Sequence, residues 1–397
     1  MYGTIRERTA RETLSQIEPL ARSLGVTRVG NLTGLDRVGV PVWMAVRPLA
    51  KSLTVAQGKG LTDELSRCSA LMESIETYHA EQAMPDAIEW PLSAYQTNAE
   101  FIDPNRVPLR APLRGDDDPL ICWVEGRDQV RDATRWIPHE LFALDSTRRR
   151  SRPPVFAASS NGLASGNTRR EAILHGICEV IERDQTSRWM RDHAGVSSSS
   201  SKVVLDTVND PDCREIVDRC RRAGLDLHVW SASVDIEIPV FWAVVADFRD
   251  NACFPHRAVG SGCHPIKEIA LSRAMTEALQ VRISNISGLR DDVGWVRYRD
   301  DAIRCPGSWI AEIRGQKESV DFGSIQSLPC PERIPDLMAS VRQSLESAGI
   351  REIIVVDLTR NEIGVPVVFV CIPDLGLFLH QDHGRQRGIE RSLRIGV

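Results

Sequence analysis

Apolar and polar positions along the chain fall into two periods that take turns. Four short apolar runs, VPVWMAVRP (40–48), PPVFAAS (153–159), IPVFWAVVAD (238–247) and VPVVFVCIPD (365–374), each carry Pro-Val near their start and continue in residues that favour strands. Proline at a strand's first position is tolerated because its missing N–H falls outside the ladder. Three of the runs lead through a glycine-bearing turn into a long stretch of helical periodicity: Gly58-Lys59-Gly60 before 61–82, Asn161-Gly162 through Gly166 before 168–191, and Gly260-Ser261-Gly262 before 265–283. Gly60 stands 13 residues before Glu73, and Gly166 stands 13 before Glu179. The pattern predicts three strand–turn–helix units whose helices converge on one site. Elsewhere it predicts amphipathic helices over 1–26, 212–226 and 332–349, strands at 226–232 and 352–358, a weakly periodic connection over 93–120, a mixed stretch over 128–146, and a serine linker at 196–201.

Each of the three long helical stretches carries a pair of oxygen-bearing side chains three residues apart: Glu73/Glu76, Glu179/Glu182 and Glu277/Gln280. Residues at that spacing share a helix face. Between Cys68 and Tyr78 the two glutamates are the only charged residues, and their neighbours one turn away offer no cation. Clustered acids on a mostly apolar helix are costly unless protonated or matched by a cation. Hard oxygens held together are also what Mg²⁺ or Ca²⁺ takes. Solvated surface glutamates are the plain alternative, and it weakens as the pattern recurs.

Composition changes the picture mainly by exclusion. The 397 residues are 42% hydrophobic and 26% charged, with a formal net charge of −5 and no basic block longer than Arg148–Arg150. That is an ordinary globular balance, which favours neither nucleic acid nor an anionic membrane as partner. MYGTIRERTARE, at the start, lacks an apolar segment, and no apolar run is long enough to span a membrane, so the expected location is the cytoplasm. Ten cysteines are scattered without a CxxC pair, against a zinc ribbon or a thioredoxin-type centre.

Lys59, between two glycines after a strand, is placed to hold phosphate oxygens. GxxxxGK[ST] is absent, as is a Rossmann GxGxxG, so common nucleotide folds are disfavoured. Carboxylates that hold Mg²⁺, with Lys59 and Arg183, Arg273 or Arg282 to neutralise the remaining charge, would make a nucleotide triphosphate site without a P-loop. His380-Gln-Asp-His383 has metal-like spacing in a polar, Arg-rich end, and Cys253 and Cys263 could relay sulfur, though buried structural thiols explain them more simply. No HExxH, GxSxG or Cys/His nucleophile signature occurs.

SLTVAQGKGL followed by SALMESIETYHAE, then SSNGLASGNTRREAILHGICEVIERD, then GSGCHPIKEIALSRAMTEALQVRISNISGLRDD, resembles the YcaO superfamily from about Gly30 to Asp374. The resemblance implies an α/β fold with mixed sheets and three acid-bearing helices around an ATP site. It implies one domain over 1–397, comprising an N-terminal helical segment (1–29), a core (30–374) and a polar C-terminal tail (375–397). It also implies ATP and Mg²⁺ as cofactors: Glu73, Glu76, Glu179 and Glu182 as metal ligands, Lys59, Ser69, Glu73, Glu76, Glu277, Gln280 and Arg282 around the nucleotide, and Glu179, Glu182 and Arg183 as the catalytic group. Members phosphorylate a peptide backbone amide oxygen; attack by a Cys, Ser or Thr side chain then gives an azoline, and attack by a sulfur donor gives a thioamide.

GNLTGLDRVGVPVWMAVRP…KSLTVAQGKGL is most similar to the branch that works with a TfuA-type partner, the trifolitoxin-like and thioamide-forming group. That resemblance implies a precursor peptide or protein as substrate, a TfuA-like partner, a sulfur donor and, on resemblance alone, a homodimer. Two departures bear on the product. Thr77 stands where some members carry arginine, which leaves the first helix one cation short. The chain ends in RQRGIERSLRIGV, without the PxPxP terminus of azoline cyclodehydratases. Thioamidation is the leading expectation, azoline or amidine formation the first alternative, and a non-catalytic peptide-binding scaffold the second.

Overall fold

The computed structural model describes residues 4–376 apart from 83–86, 112, 114–117, 149–151, 193–200, 248–256, 292–311 and 330–332. The serine linker, Cys253 and the His380/His383 pair therefore lie almost wholly outside the described residues. The described chain is α/β. Its strands are β1 (Arg28–Asn31), β2 (Val42–Val46), β3 (Val55–Lys59), β4 (Ala87–Pro91), β5 (Leu120–Asp128), β6 (Ala133–Pro138), β7 (Leu163–Ser165), β8 (Val203–Val204), β9 (Asp226–Ser231), β10 (Val240–Ala246), β11 (Arg257–Cys263), β12 (Val320–Asp321), β13 (Ile354–Asp357) and β14 (Val367–Cys371). Its helices are α1 (Ala10–Ala21), α2 (Asp63–Gln82), α3 (Ala94–Thr97), α4 (Arg169–Asp192), α5 (Pro211–Arg222), α6 (Lys267–Ser287) and α7 (Ile334–Ser347).

Three sheets carry the architecture. β1-β2-β3 and β11-β10-β9 are antiparallel, and a six-stranded sheet runs β4-β5-β13-β14-β7 with β6 on β5. β8 and β12 make a short parallel pair. Each large sheet ends on the strand that feeds a long helix: β3 leads into α2, β7 into α4 and β11 into α6. The threefold unit read from the sequence is therefore present, and its third copy keeps the spacing, since Lys59, Ser165 and Cys263, the last residues of β3, β7 and β11, each stand 14 residues before the first acid of their helix. Local chemistry starts the first two helices alike: the hydroxyls of Thr62 and Thr168 accept from the N–H of Leu65 and Glu171, as helix caps do.

Strand and helix lie very close in each unit. A methyl group at Gly58 would come within 2.1 Å of the Ser66 carbonyl and the Ala70 nitrogen, and one at Gly262 within 2.1 Å of the Ala270 carbonyl. Only glycine permits that approach. Ala70, Ala274 and Ala278 are wholly buried on the helix side, so both partners are small where the elements cross. The cores follow: Leu71 and Ile75 of α2 pack with Trp123, Phe142 and Phe156 under the six-stranded sheet, Ile177 and Ile181 of α4 pack with Val355 and Val370, and Leu271 and Met275 of α6 pack with Phe241 and Val245.

One predicted strand is absent. Residues 153–159 form no strand beyond a single bridge between Phe156 and Leu109, and the second unit's strand is the shorter β7. The Glu140 carboxylate accepts the N–H groups of Val155 and Phe156, while Val155 and Pro108 carbonyls serve Arg110 and Ala157. The segment thus satisfies its backbone without a ladder. The N-terminal helix is also shorter than expected. It begins at Ala10 behind a Thr9/Glu12 capping box, and Arg6 and the Glu7 N–H ahead of it bind the buried Glu171 at 3.0 Å.

Candidate active site

Among the described residues the three sheet-ending strands have no strand on their outer edges, which are liabilities unless something covers them. Here the cover comes from the acid helices, and each helix serves the next unit. Glu76 of α2 lies against the Ser165 hydroxyl and backbone at the end of β7, which ease the rise of its pKa. Glu182 of α4 accepts from Ser261 Oγ at 2.7 Å and from the Cys263 N–H at 3.0 Å on β11. Gln280 of α6 donates to the Gln57 carbonyl of β3 at 3.0 Å. The circuit closes. It also accounts for the glutamine: the group offered by β3 is a carbonyl, and a carboxylate cannot donate to it.

The first residue of each pair is left to face the shared centre, and its charge state depends on the company it keeps. Glu73 is open to water and Glu76 and Glu179 are half-buried, but all three are hemmed in by protein, as cleft walls are. Burial raises the Glu73 carboxyl to about 7 against the pull of Lys59 and of the Gln57 backbone. Burial likewise raises Glu179 to about 7, with Glu182 and Glu277 adding to the rise and Arg183 and Arg273 opposing it. For Glu76, burial together with the charges of Glu179 and Glu73 drives the carboxyl well above its ordinary range. Glu277 goes the other way. Burial acts on it too but is outweighed by Lys59, whose Nζ lies 2.6 Å from Oε2, and by Arg183, so it is held below the usual range. Arg183 reaches solvent from a crowded wall, and Glu277, Glu182 and Glu179 together outweigh the desolvation it suffers there and push its pKa up.

Glu73, Glu76, Glu179, Glu182, Glu277, Lys59 and Arg183 thus belong to one electrostatic cluster, and Gln280 borders it through the Gln57 backbone. Ser69 lies half-buried on α2 one turn before Glu73, on the same face. Arg282 turns elsewhere. It is buried against Asp36 at 3.0 Å and lies 3.8 Å from Asp247. Arg47 was not singled out by sequence: it donates to the Thr77 hydroxyl at 3.1 Å, where a cation looked to be missing, but its guanidinium is committed to Glu81 at 2.8 and 2.9 Å. His175 and Arg273, 3.0 Å apart, also border the cluster. Ser165 and Ser261 are further members; Ser165 shares with Lys59 the position 14 residues before the first acid, a register that would have marked it.

The donor set is hard oxygen with lysine and arginine. Among the described residues no three acidic, His or Cys side chains close on a point tightly enough to hold a bare ion. A cation there would complete its shell with water or phosphate oxygens, which is how Mg²⁺ is usually held. The family model described as YcaO cyclodehydratase, ATP- and Mg²⁺-binding, matches residues 57–376. The chain belongs to the YcaO family. It is an enzyme family of the ATP-dependent cyclodehydratase type, and ATP and Mg²⁺ are its cofactors.

Among YcaO relatives, an uncharacterized protein in the tfuA 3′ region of Rhizobium leguminosarum bv. trifolii is 34% identical over 380 residues, covering 92% of this chain and 87% of that one. YcaO from Methanopyrus kandleri bound with AMPPCP and Mg²⁺ superposes with a TM-score of 0.75 at 21% identity, covering 96% and 95% of the two chains. A heterocyclase in complex with substrate and cofactor reaches the same TM-score at 24% identity, covering 93% of this chain and 52% of the other. At such identities the likeness establishes the YcaO fold. No described helix is long and apolar enough to cross a membrane.

Proposed function

We propose that this YcaO protein uses Mg–ATP to phosphorylate the oxygen of a peptide backbone amide and that the activated carbon then accepts sulfur, giving a thioamide, with a TfuA-like protein as partner. The observation that carries the reading is the sorting of charge at the site: burial raises the carboxyls of Glu73, Glu76 and Glu179, outweighing the nearby cations at Glu73 and Glu179, while Lys59, Arg183 and Arg273 together hold that of Glu277 down. Glu73, Glu76, Glu179 and Glu182 would hold the metal. When bound, Mg–ATP supplies the γ-phosphoryl group and the charge that ionises these acids. Lys59, paired with Glu277 at rest, is placed to exchange that partner for phosphate, and Arg183 to neutralise charge that builds on the transferred group. Gln280 and Glu182 hold the strand edges that line the cleft.

An amide carbon is a poor electrophile until its oxygen becomes a leaving group. Phosphorylation makes that change at the expense of ATP and releases ADP, hydrosulfide adds to the carbon and gives up its proton, and the C–O bond breaks to release phosphate. Positioning and charge neutralisation then carry the catalysis, and no covalent nucleophile from the protein is needed. The relative encoded beside tfuA supports the partner and, through it, the thioamide outcome. The alternatives are an azoline or amidine product from the same activated amide, and a scaffold that binds peptide without turnover.

Product mass decides. The protein, its TfuA-like partner, Mg–ATP, sulfide and a candidate peptide should give a gain of about 16 Da, whereas ring closure loses about 18 Da. Loss of water with ADP formation would establish the cyclodehydratase alternative. Peptide binding without ADP formation would establish the scaffold.

A further inference from the structure

The repeat that aligns the acids also aligns the positions four residues before them: Ser69, His175 and Arg273, each one turn below the first acid on the same helix face. Two of these meet. Arg273 Nη2 lies 3.0 Å from His175 Nε2, across from α6 to α4. A guanidinium has only donors, so Nε2 must accept, and the ring is neutral with its proton on Nδ1. Nδ1 is turned toward the Ser165 backbone without forming a well-aligned hydrogen bond. Burial and the cations Arg273, Arg6 and Lys59 around the ring all disfavour its second proton. Arg273 in turn acts on both Glu179 and Glu277.

We propose that His175 is the positioning residue for Arg273, a neutral acceptor that aims the guanidinium across the acid cleft as a receiver of nucleotide phosphate oxygens. Resting on the nucleotide reading of the site, it adds a requirement: position 175 must accept a hydrogen bond and must not carry charge. A protonated imidazole would turn Arg273 away. Glutamine, whose Oε1 accepts, would keep it in place.

The test is a double-mutant cycle on His175→Leu and Arg273→Met, read by calorimetric titration with Mg–AMPPCP, with His175→Gln as the conservative variant and thermal unfolding as the folding check. His175→Leu should weaken binding about tenfold, the worth of one charge-assisted hydrogen bond, and His175→Gln by no more than about threefold. His175→Leu should cost nothing further in Arg273→Met protein. ¹⁵N-histidine spectra of the free protein at pH 7 should place the His175 proton on Nδ1, leaving Nε2 bare. Wild-type-like binding by His175→Leu, additive losses in the double variant, or a protonated Nε2 would each overturn the assignment. If the unchanged protein fails to bind Mg–AMPPCP, the nucleotide reading falls first and this role falls with it; if it binds and only the cycle fails, the loss is confined to His175.

Discussion

The α2/α4 corner and the α6 corner of the cleft are built from the same strand–turn–helix unit yet hold charge in opposite ways. In the first, Glu73, Glu76 and Glu179 face one another and are pushed toward their protonated forms. In the second, Glu277 is matched by Lys59 at 2.6 Å and stays ionised. Spacing along the helix is the same, so the difference comes from what the neighbouring strand contributes: lysine at the end of β3, serine at the end of β7, cysteine at the end of β11. A repeated unit thus yields a cation-hungry corner and a cation-filled one, the two halves a metal–phosphate group needs.

The sharpest way to break the comparison is Glu179→Gln. It removes, at constant volume, a carboxylate that its neighbouring arginines do not keep ionised, so Mg²⁺-dependent ATP turnover should fall more than about a hundredfold while thermal unfolding stays in place or shifts up. Wild-type turnover would dismiss the α2/α4 corner as a metal site. Glu182→Gln should separate itself from Glu179→Gln by stability. The Glu182 side chain is buried, and a glutamine could keep its oxygen on the Cys263 N–H only by donating its nitrogen to a Ser261 hydroxyl that has turned round, so charge-assisted bonds become neutral ones at a cost of roughly 1 kcal/mol in denaturant unfolding besides any loss of turnover.

Proton linkage gives the next effect. The folded-state carboxyls of Glu73 and Glu179 stand near 7, above the ordinary 4.5, so between those values the folded protein binds protons that the unfolded chain does not. Their contribution to stability therefore falls as pH rises through that window. The metal-free wild type should lose stability relative to Glu179→Gln between pH 5 and about pH 7, a difference that saturating Mg–ATP should remove. Mg–ATP binding near pH 6.5 should also release protons, read as a buffer-dependent calorimetric heat; proton-neutral binding would contradict the charge states described. The smallest change is Lys59→Met. It strips Glu277 of its partner and makes the α6 corner resemble the other. Mg–ATP binding should weaken about tenfold and Glu277 should take up a proton that wild type lacks near pH 5.

Much of the fold was legible in the sequence because the repeat is written in residue types that geometry enforces. Gly58 and Gly262 fit where a strand crosses a helix backbone, and the acids recur at a fixed distance from the turn. PPVFAAS misled because strand propensity reads side chains, whereas its backbone found Glu140 instead of a ladder. At the site, the membership of Glu73, Glu179 and Lys59 could be anticipated, but not the charge of each, since Lys59 is 218 residues from Glu277. Arg282 carried the right charge on the right helix, and its burial against Asp36 was invisible because that partner lies in an unrelated loop. His175 reads as one more half-buried helix residue until Arg273 is seen beside it.

The circuit of helices that each cover the next unit's strand has a consequence for how the protein comes into being. Its links join residues 79 and 81 positions apart at Glu182 and 223 apart at Gln280, so none can form while the chain is still short. Non-local links of this kind are made late in folding. A ribosome-bound fragment that ends before α6 would hold Glu73, Glu76, Glu179 and Glu182 but lack both Glu277 and the cap on β3. Nucleotide affinity should therefore arrive in one step when the last third of the chain emerges, and a newly made molecule would acquire its ligand only after it has closed the ring.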